Sequence, residues 1–430
     1  VIARTPGDGQ DRGMKTTPYW WDSTPPAKLE RGPLPTRADA VVIGSGYTGM
    51  HAALQMARGG RHVVVLEKGQ VGEGCSTRNG GQLSHSIKPS LRALTAKHGR
   101  EVAAAIRAEG PASLAFTGDF IRKEGIDCDF RLCGRLDGAA TARAYVEMSH
   151  EADGENIIAV PKERQRDEIG TDLYHGGLIH MNYGGLDPAR YHAGLLAKAL
   201  EAGVMVLPQC GVEAMDERPG EVTLRTAHGS ITAADVVLAT NGYTSKATPW
   251  HRQRVIPIGS YIIATEELPE QVINRLFPHN RMHCDSRRVI YYYRASPDRK
   301  RVLFGGRAAA GEAGAVVAAQ RLRAEMVRLF PELESAKITH SWMGFVAFTF
   351  DKLAHTADRG RIRHAMGYCG SGVGMASYLG MKAGLRVLGD PGGDTAMTAP
   401  DFPTRPLYTG DPWFLPAAVA SYRLLDRLGL

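Results

Sequence analysis

Near the start of the chain, two short apolar runs bracket a stretch with a different rhythm. Residues 40–43 are all apolar and mostly β-branched, and residues 62–66 repeat the theme. Such runs suit strands buried on both faces of a parallel sheet. Between them Met50, Ala53, Leu54 and Ala57 recur at helical spacing, and Gly59-Gly60 follows as a stop. The pattern predicts strand, helix, strand. Residues 100–124 are helical in composition, with a break expected at Gly110-Pro111. Residues 187–202 predict a helix that Asp187 caps, Pro188 opens and Gly203 ends. Strands are expected at 204–207, 222–225 and 236–239. From 255 to 306 the text turns aromatic and alternating, which predicts antiparallel strands at 258–264, 289–294 and 302–305. Residues 314–329 read as an amphipathic helix ended by Pro331, and the proline-rich residues 22–36 as an extended lead-in.

Composition narrows the class. At 430 residues, two domains are expected, and 43% hydrophobic with 23% charged residues is ordinary globular usage. No run reaches the roughly 20 apolar residues that span a bilayer. The first residues lack the apolar core of a signal peptide. Met14 is read as a natural start, with residues 1–13 expected to be poorly ordered. Cys75, Cys128, Cys133, Cys210, Cys284 and Cys369 are scattered, without CxxC or zinc spacing. Reduced thiols, a cytoplasmic location and no metal are expected. The formal charge of +7 raises nucleic acid as a partner. The basic residues are spread out and no aromatic-interleaved basic block occurs, so that partner is not expected.

The first motif sits at the turn after residues 40–43: Gly44, Ser45, Gly46, Tyr47, Thr48 and Gly49. Gly44 permits the tight turn, Gly46 lets a pyrophosphate approach the backbone, and Gly49 lets the helix pack closely. Phosphates would then meet unpaired N–H groups at the helix N-terminus. Glu67, with Lys68 beside it, lies at about the 20-residue spacing expected of a ribose-binding acid. A second loop holds Ser76, Thr77, Arg78, Asn79, Gly80, Gly81 and Gln82, polar and glycine-rich, suited to anchoring the rest of a long ligand. A third, Gly370, Ser371, Gly372, Val373 and Gly374, again feeds a helix N-terminus. The first motif alone serves FAD and NAD equally; the second and third favour FAD.

Taken with GIDCDF, Gly134-x-Leu136, Gly185-Leu186-Asp187-Pro188, residues 236–242, YYYR, Phe304-Gly305-Gly306-Arg307, Trp342-x-Gly344 and the preceding Tyr19-Trp20-Trp21, these motifs resemble the D-amino-acid oxidase superfamily of flavoenzymes. The likeness is greatest to the branch that includes gamma-glutamylputrescine oxidoreductase. The resemblance implies FAD held in extended form, with Val212 at the adenine, Thr240, Asn241 and Gly242 near the cofactor, and Gly370 to Gly374 closing over the flavin. The chain departs from the family after Asp351, where Lys352-Leu353-Ala354-His355-Thr356 replaces a proline-containing stretch. Cys369 lies in the flavin-end loop; non-covalent FAD is expected.

The expected fold is α/β (α+β overall). A Rossmann-like FAD-binding domain (37–90, 181–249, 336–395) interleaves with a substrate domain on an antiparallel sheet (91–180, 250–335), between a lead-in (1–36) and a C-terminal tail (396–430). The expected reaction is oxidation of a C–N bond of a small amine or amino acid to an imine, then hydrolysis, with oxygen or another acceptor taking the electrons. A 2-hydroxy-acid dehydrogenase, a non-catalytic flavin-binding partner and a nicotinamide dehydrogenase are the alternatives. On the substrate side, Tyr292 and Arg294 share a strand face, Arg294 as a carboxylate clamp. Trp342 and Phe345 are candidate walls, and His85, His51 and His340 weaker candidates.

Overall fold

The computed structural model describes residues 13–307 and 314–428. The order expected of residues 1–12 lies outside the described residues. Arg37–Ile43 runs parallel to Val63–Leu66 on one side and to Gly229–Leu238 on the other, and Met205–Leu207 extends the sheet beyond Val63–Leu66. The far edge of Gly229–Leu238 is shared. Its first half pairs with Glu221–Thr226, its second with Ile362–Met366. Val41, Val42, Val64 and Val65 are wholly buried, as apolar runs covered on both faces must be. The helices Tyr47–Arg58, Pro188–Glu201 and Gly372–Leu388 cover one face. The Tyr47–Arg58 and Gly372–Leu388 helices cross closely at Gly380, where a Cβ would stand 2.4 Å from the Thr48 carbonyl oxygen.

A second sheet has the order Ile338–Phe348, Ile256–Thr265, Val302–Gly306, Tyr291–Ala295, Met282–Asp285, Arg135–Gly138, Gly177–His180, Ile157–Val160. It is antiparallel except where Met282–Asp285 meets Arg135–Gly138. The Ala315–Leu329 helix packs on one face, burying Ala318, Leu322 and Met326 against Ile263, Tyr293 and Phe304.

The structure corrects four sequence expectations. Arg100–Glu124 is one helix through Pro111. The proline costs about 3 kcal/mol. Burial of Ile106, Phe120 and Ile121, at ~1.5–3 kcal/mol each, outweighs it. The second correction is to placement: Leu94, Ala103, Ile106, Phe120 and Ile121 bury into the core beneath the parallel sheet, not into the antiparallel half. Thirdly, Ile338–Phe348 is a full member of the antiparallel sheet, in register with Ile256–Thr265. Fourthly, the C-terminal segment is not a bare tail: Leu415 and Val419 are buried against Ile256 and Ile258. The strand Val212–Arg218 lacks a buried apolar face that a sequence pattern could show: three of its positions are half-buried and four are exposed. No helix among the described residues is long and apolar enough to cross a membrane.

Candidate cofactor and substrate site

The first glycine turn leaves Ile43 at Gly44, whose φ is 102°, and enters the helix with Gly46 as its N-cap. Gly49 is there for contact: a Cβ would stand 1.9 Å from the Gly44 carbonyl oxygen. The Ser45 amide and hydroxyl donate to Glu67 Oε2 at 2.9 and 2.6 Å, and the Gly69 amide donates to Oε1 at 3.0 Å. One carboxylate thus ties the turn to the end of the second strand. Beneath, His192 Nε2 lies 2.7 Å from the Ser45 carbonyl oxygen. Burial lowers the pKa of His192, so it is neutral and donates to that oxygen. Sequence reasoning missed His192, which sits mid-helix with no motif around it.

The second loop is held from outside by indoles. Trp20 donates to the Asn79 carbonyl (2.9 Å), Trp21 to Thr77 Oγ1 (2.9 Å) and Trp342 to the Arg78 carbonyl (2.9 Å). From inside, Asn79 Oδ1 accepts from the Gly81 amide (2.8 Å), and Ser76 Oγ accepts from the Tyr47 amide (3.0 Å) at the start of the first helix. The loop therefore has a settled shape set against the first turn. The third loop completes the frame. Gly370 has φ 99°, Ser371 Oγ donates to the Ser86 carbonyl (2.9 Å), and the Gly372–Leu388 helix follows. The Tyr368 and Thr48 hydroxyls are 2.6 Å apart, and Asn241 Oδ1 accepts from the Gly367 amide (2.9 Å). These bonds join the three loops around one cavity of about 830 Å³.

On the cavity wall lie Gly44, Ser45, Gly46, Tyr47, Thr48, Glu67, Lys68, Ser76, Arg78, Asn79, Gly80, Gln82, Val212, Thr240, Asn241, Gly370, Gly372 and Val373, all expected from the sequence. Gly49, Thr77, Gly81, Gly242, Ser371 and Gly374 are not on the wall, and their contacts place them behind it, shaping the loops. Cys369 and Cys75 also face in; burial raises both thiols, Cys75 to about 11. Bare amides at a glycine turn, a carboxylate at the next strand end and a second glycine loop at a helix start suit a dinucleotide carrying a pyrophosphate and ribose hydroxyls. The residues present fit FAD.

At the other end of the cavity the expectations divide. Tyr292 is on the wall, its hydroxyl 2.9 Å from Ser260 Oγ, and burial raises its pKa so that it stays protonated. Phe345 is also on the wall. Arg294 is not. It is 1% exposed, and its guanidinium donates to the carbonyls of Gly81 (3.1 Å), Leu186 (2.9 Å) and Ala295 (3.0 Å). It shares a face with Tyr292 but lies behind the second loop, which it braces. Trp342 is a brace of the same loop, not a wall. His85 packs on Tyr183 outside the cavity, and burial lowers its pKa to about 4. His51 is buried against Phe120 and bonded to Tyr191, while His340 meets Asp22 at 3.1 Å.

The sequence reading missed the charged wall. Lys88, Arg135, Arg288 and Arg307 face the cavity here. Arg135 is paired with Asp137 at 2.5 Å and lies 4.0 Å over the Tyr183 ring; Arg307 lies 5.2 Å from the Phe348 ring. The carboxylates on the cavity wall, Glu67 and Glu73, belong to the first-turn end. The one available signal was Arg307, within the Gly-Gly-Arg run quoted above.

Comparisons with known proteins agree with this geometry. The model of the FAD dependent oxidoreductase (DAO) family matches residues 39–384. Probable oxidoreductase OrdL of Haemophilus influenzae is 32% identical over 368 residues, 82% of this chain and 83% of that protein. Gamma-glutamylputrescine oxidoreductase of Escherichia coli is 29% identical over 405 residues, 91% of this chain and 93% of that protein. Among solved structures, glycine oxidase from Geobacillus kaustophilus superposes with a TM-score of 0.69 at 18% identity, covering 86% of this chain and 99% of that one. L-proline dehydrogenase from P. horikoshii gives 0.67 at 17% identity, covering 90% and 99%. With the family match running from the first strand into the Gly372–Leu388 helix, the chain belongs to the FAD dependent oxidoreductase family.

Proposed function

We propose that this oxidoreductase oxidises the C–N bond of a small amine that also carries a negative charge, an amino acid or an acidic amine conjugate, to an imine that water then hydrolyses. The observation that carries this reading is the wall of Lys88, Arg135, Arg288 and Arg307; Asp137 pairs with Arg135 but is not itself on the wall, and the wall carboxylates among the described residues, Glu67 and Glu73, lie at the first-turn end. A unit charge about 4 Å from another is worth ~4 kcal/mol at the effective dielectric of a partly buried site. A free diamine would be repelled on that scale, and a carboxylate attracted. The same cations act on the substrate ammonium. Like charge disfavours the protonated form, so the wall lowers that pKa and supplies the neutral amine the reaction requires. Tyr292, kept protonated by burial, serves as a hydrogen-bonding group and not as a base. Phe345, Phe348 and Ile258 line the same end and keep it apolar around the reacting carbon. FAD, held by the Gly44–Gly49 turn, Glu67 and the second glycine loop, would supply the hydride-accepting chemistry, with oxygen or another acceptor as the final electron sink.

The names of relatives and fold neighbours support C–N chemistry: gamma-glutamylputrescine oxidoreductase, glycine oxidase and L-amino acid deaminase. The six cysteines are all free, which supports the cytoplasmic location read from the sequence. Anaerobic bleaching of the FAD-loaded protein tests the reading against amino acids, acidic amine conjugates, free diamines and 2-hydroxy acids. Carboxylate-bearing amines should bleach the flavin and free diamines should not. Arg307→Met should raise KM for such amines about 10- to 100-fold, the scale of one lost charge-assisted hydrogen bond. Bleaching by 2-hydroxy acids and by no amine would transfer the protein to alcohol oxidation.

A further inference from the structure

We infer that the Leu415–Leu428 helix, which lies past the residues matched by the family model, is a working part of the substrate site, with Asp426 as a positioning residue. The helix reaches the charged end of the cavity at three separate places. Asp426 accepts from two successive amides, Arg288 N to Oδ1 at 2.8 Å and Val289 N to Oδ2 at 3.0 Å. Arg288 and Ile290, on either side of Val289, are both on the cavity wall. Arg423 donates to the carbonyl of Arg307, another wall residue, at 3.0 Å. Leu415 and Val419 are buried against Ile256 and Ile258, and Ile258 also faces the cavity.

The physical reason for a role is the nature of what is held. Residues 286–290 connect Met282–Asp285 to Tyr291–Ala295 and contribute no strand pairing of their own. From within, Asp285 anchors this connection by accepting from the Tyr291 amide (3.1 Å) and pairing with Arg287 (2.6 Å). From outside, Asp426 grips its next two amides. A carboxylate accepting two backbone N–H groups makes charge-assisted bonds, about twice as strong as neutral ones. The Arg288 backbone is thus fixed between two carboxylates, and where it is fixed decides where its guanidinium stands. Arg423 does the same at one point for Arg307. The affinity of the site for an anionic substrate therefore depends on a helix that touches neither substrate nor cofactor.

This inference rests on the functional reading above, and its test separates the two. In the FAD-loaded full chain, hydrogen–deuterium exchange across 286–291 should be slow. It should rise about tenfold or more at Arg288 and Val289 in Asp426→Ala, less in Asp426→Asn, and stay near wild type in Asp426→Glu, while exchange at Gly44–Gly49 is unchanged. Benzoate, a plain carboxylate probe, is titrated by its perturbation of the flavin absorption band. Its Kd should rise about tenfold in Asp426→Ala, with a similar rise in KM for an oxidisable amine, kcat within about twofold, and recovery in Asp426→Glu. Equal benzoate Kd in wild type and variant, no benzoate binding to wild type, or faster exchange with unchanged KM would each overturn the inference. Failure of every amine to bleach the wild-type flavin would instead overturn the functional reading, and the exchange result would still report the contact.

Discussion

The two ends of the cavity are built on different principles. At the cofactor end, recognition comes from main chain: three glycine loops, each feeding or abutting a helix start, with Glu67 tying the first to the second strand. At the end proposed for the substrate the wall is made of side chains delivered by distant segments: Arg135, Tyr292, Arg307 and, through Arg288, the C-terminal helix. The backbone end tolerates little change at Gly44, Gly49 and Gly81, where an added Cβ would stand 3.0, 1.9 and 2.2 Å from a backbone carbonyl oxygen. The halves are nonetheless coupled: Trp342 and Arg294, both in the antiparallel sheet, donate to carbonyls of the second cofactor loop.

That contrast breaks most visibly at Gly49. Gly49→Val would drive a side chain into the Gly44 carbonyl, only 1.9 Å from the first added atom. The turn must open, and the purified protein should be nearly colourless, with the flavin-to-protein absorbance ratio at least tenfold down and a stability loss of about 3 kcal/mol. Near-stoichiometric flavin in this variant would remove the claim that close packing sets the cofactor end.

The coupling between halves is sharpened by Trp342→Phe. It deletes the donor to the Arg78 carbonyl, 2.9 Å away, and keeps most of the ring. A buried acceptor left without a partner costs about 1–3 kcal/mol. Urea unfolding should show that loss, and FAD affinity should fall although the residue touches no cavity surface. Weaker substrate binding with unchanged FAD affinity would show Trp342 serving the substrate end instead.

Acid probes whether the halves unfold together. Burial lowers His51, in the cofactor half, and His283, in the substrate half, each to about 3. The unfolded chain protonates them near 6.5, so it binds more protons as pH falls below that value. Their stability is full above pH 6.5 and is lost progressively toward pH 3. At pH 5 each costs about 2 kcal/mol. In thermal melts from pH 7 to pH 5, His283→Phe should flatten the fall in Tm of a single transition. Two transitions, of which only one responds, would mean that the halves unfold separately.

The smallest effect is expected at Cys369. It faces the cavity, but burial raises its thiol and disfavours the thiolate that covalent attachment needs. Acid precipitation should release all the flavin, and Cys369→Ser should retain wild-type absorbance. Flavin left in the pellet would contradict non-covalent binding.

What the sequence determined by itself is what short-range physics dictates. Gly44 to Gly49 followed by helical spacing, Glu67 at the next strand end, and Asp187-Pro188 opening a helix all appear in the structure, Asp187 Oδ1 accepting from the Ala189 and Arg190 amides at 2.9 and 3.0 Å. Each is a relation among neighbours along the chain, and the backbone realises it wherever the segment is packed. What only the tertiary structure decided is which arginine faces the cavity. Arg294 and Arg307 both lie at strand ends in one sheet, and alternation assigns each a face without saying what covers it. The second cofactor loop closes over Arg294, while Arg307 is left on the cavity wall. The C-terminal segment reads from the sequence only as a tail until its apolar face meets Ile256 and Ile258 and its Asp426 two distant amides. Side-chain sites are sums over segments far apart in sequence, and no local pattern carries that sum.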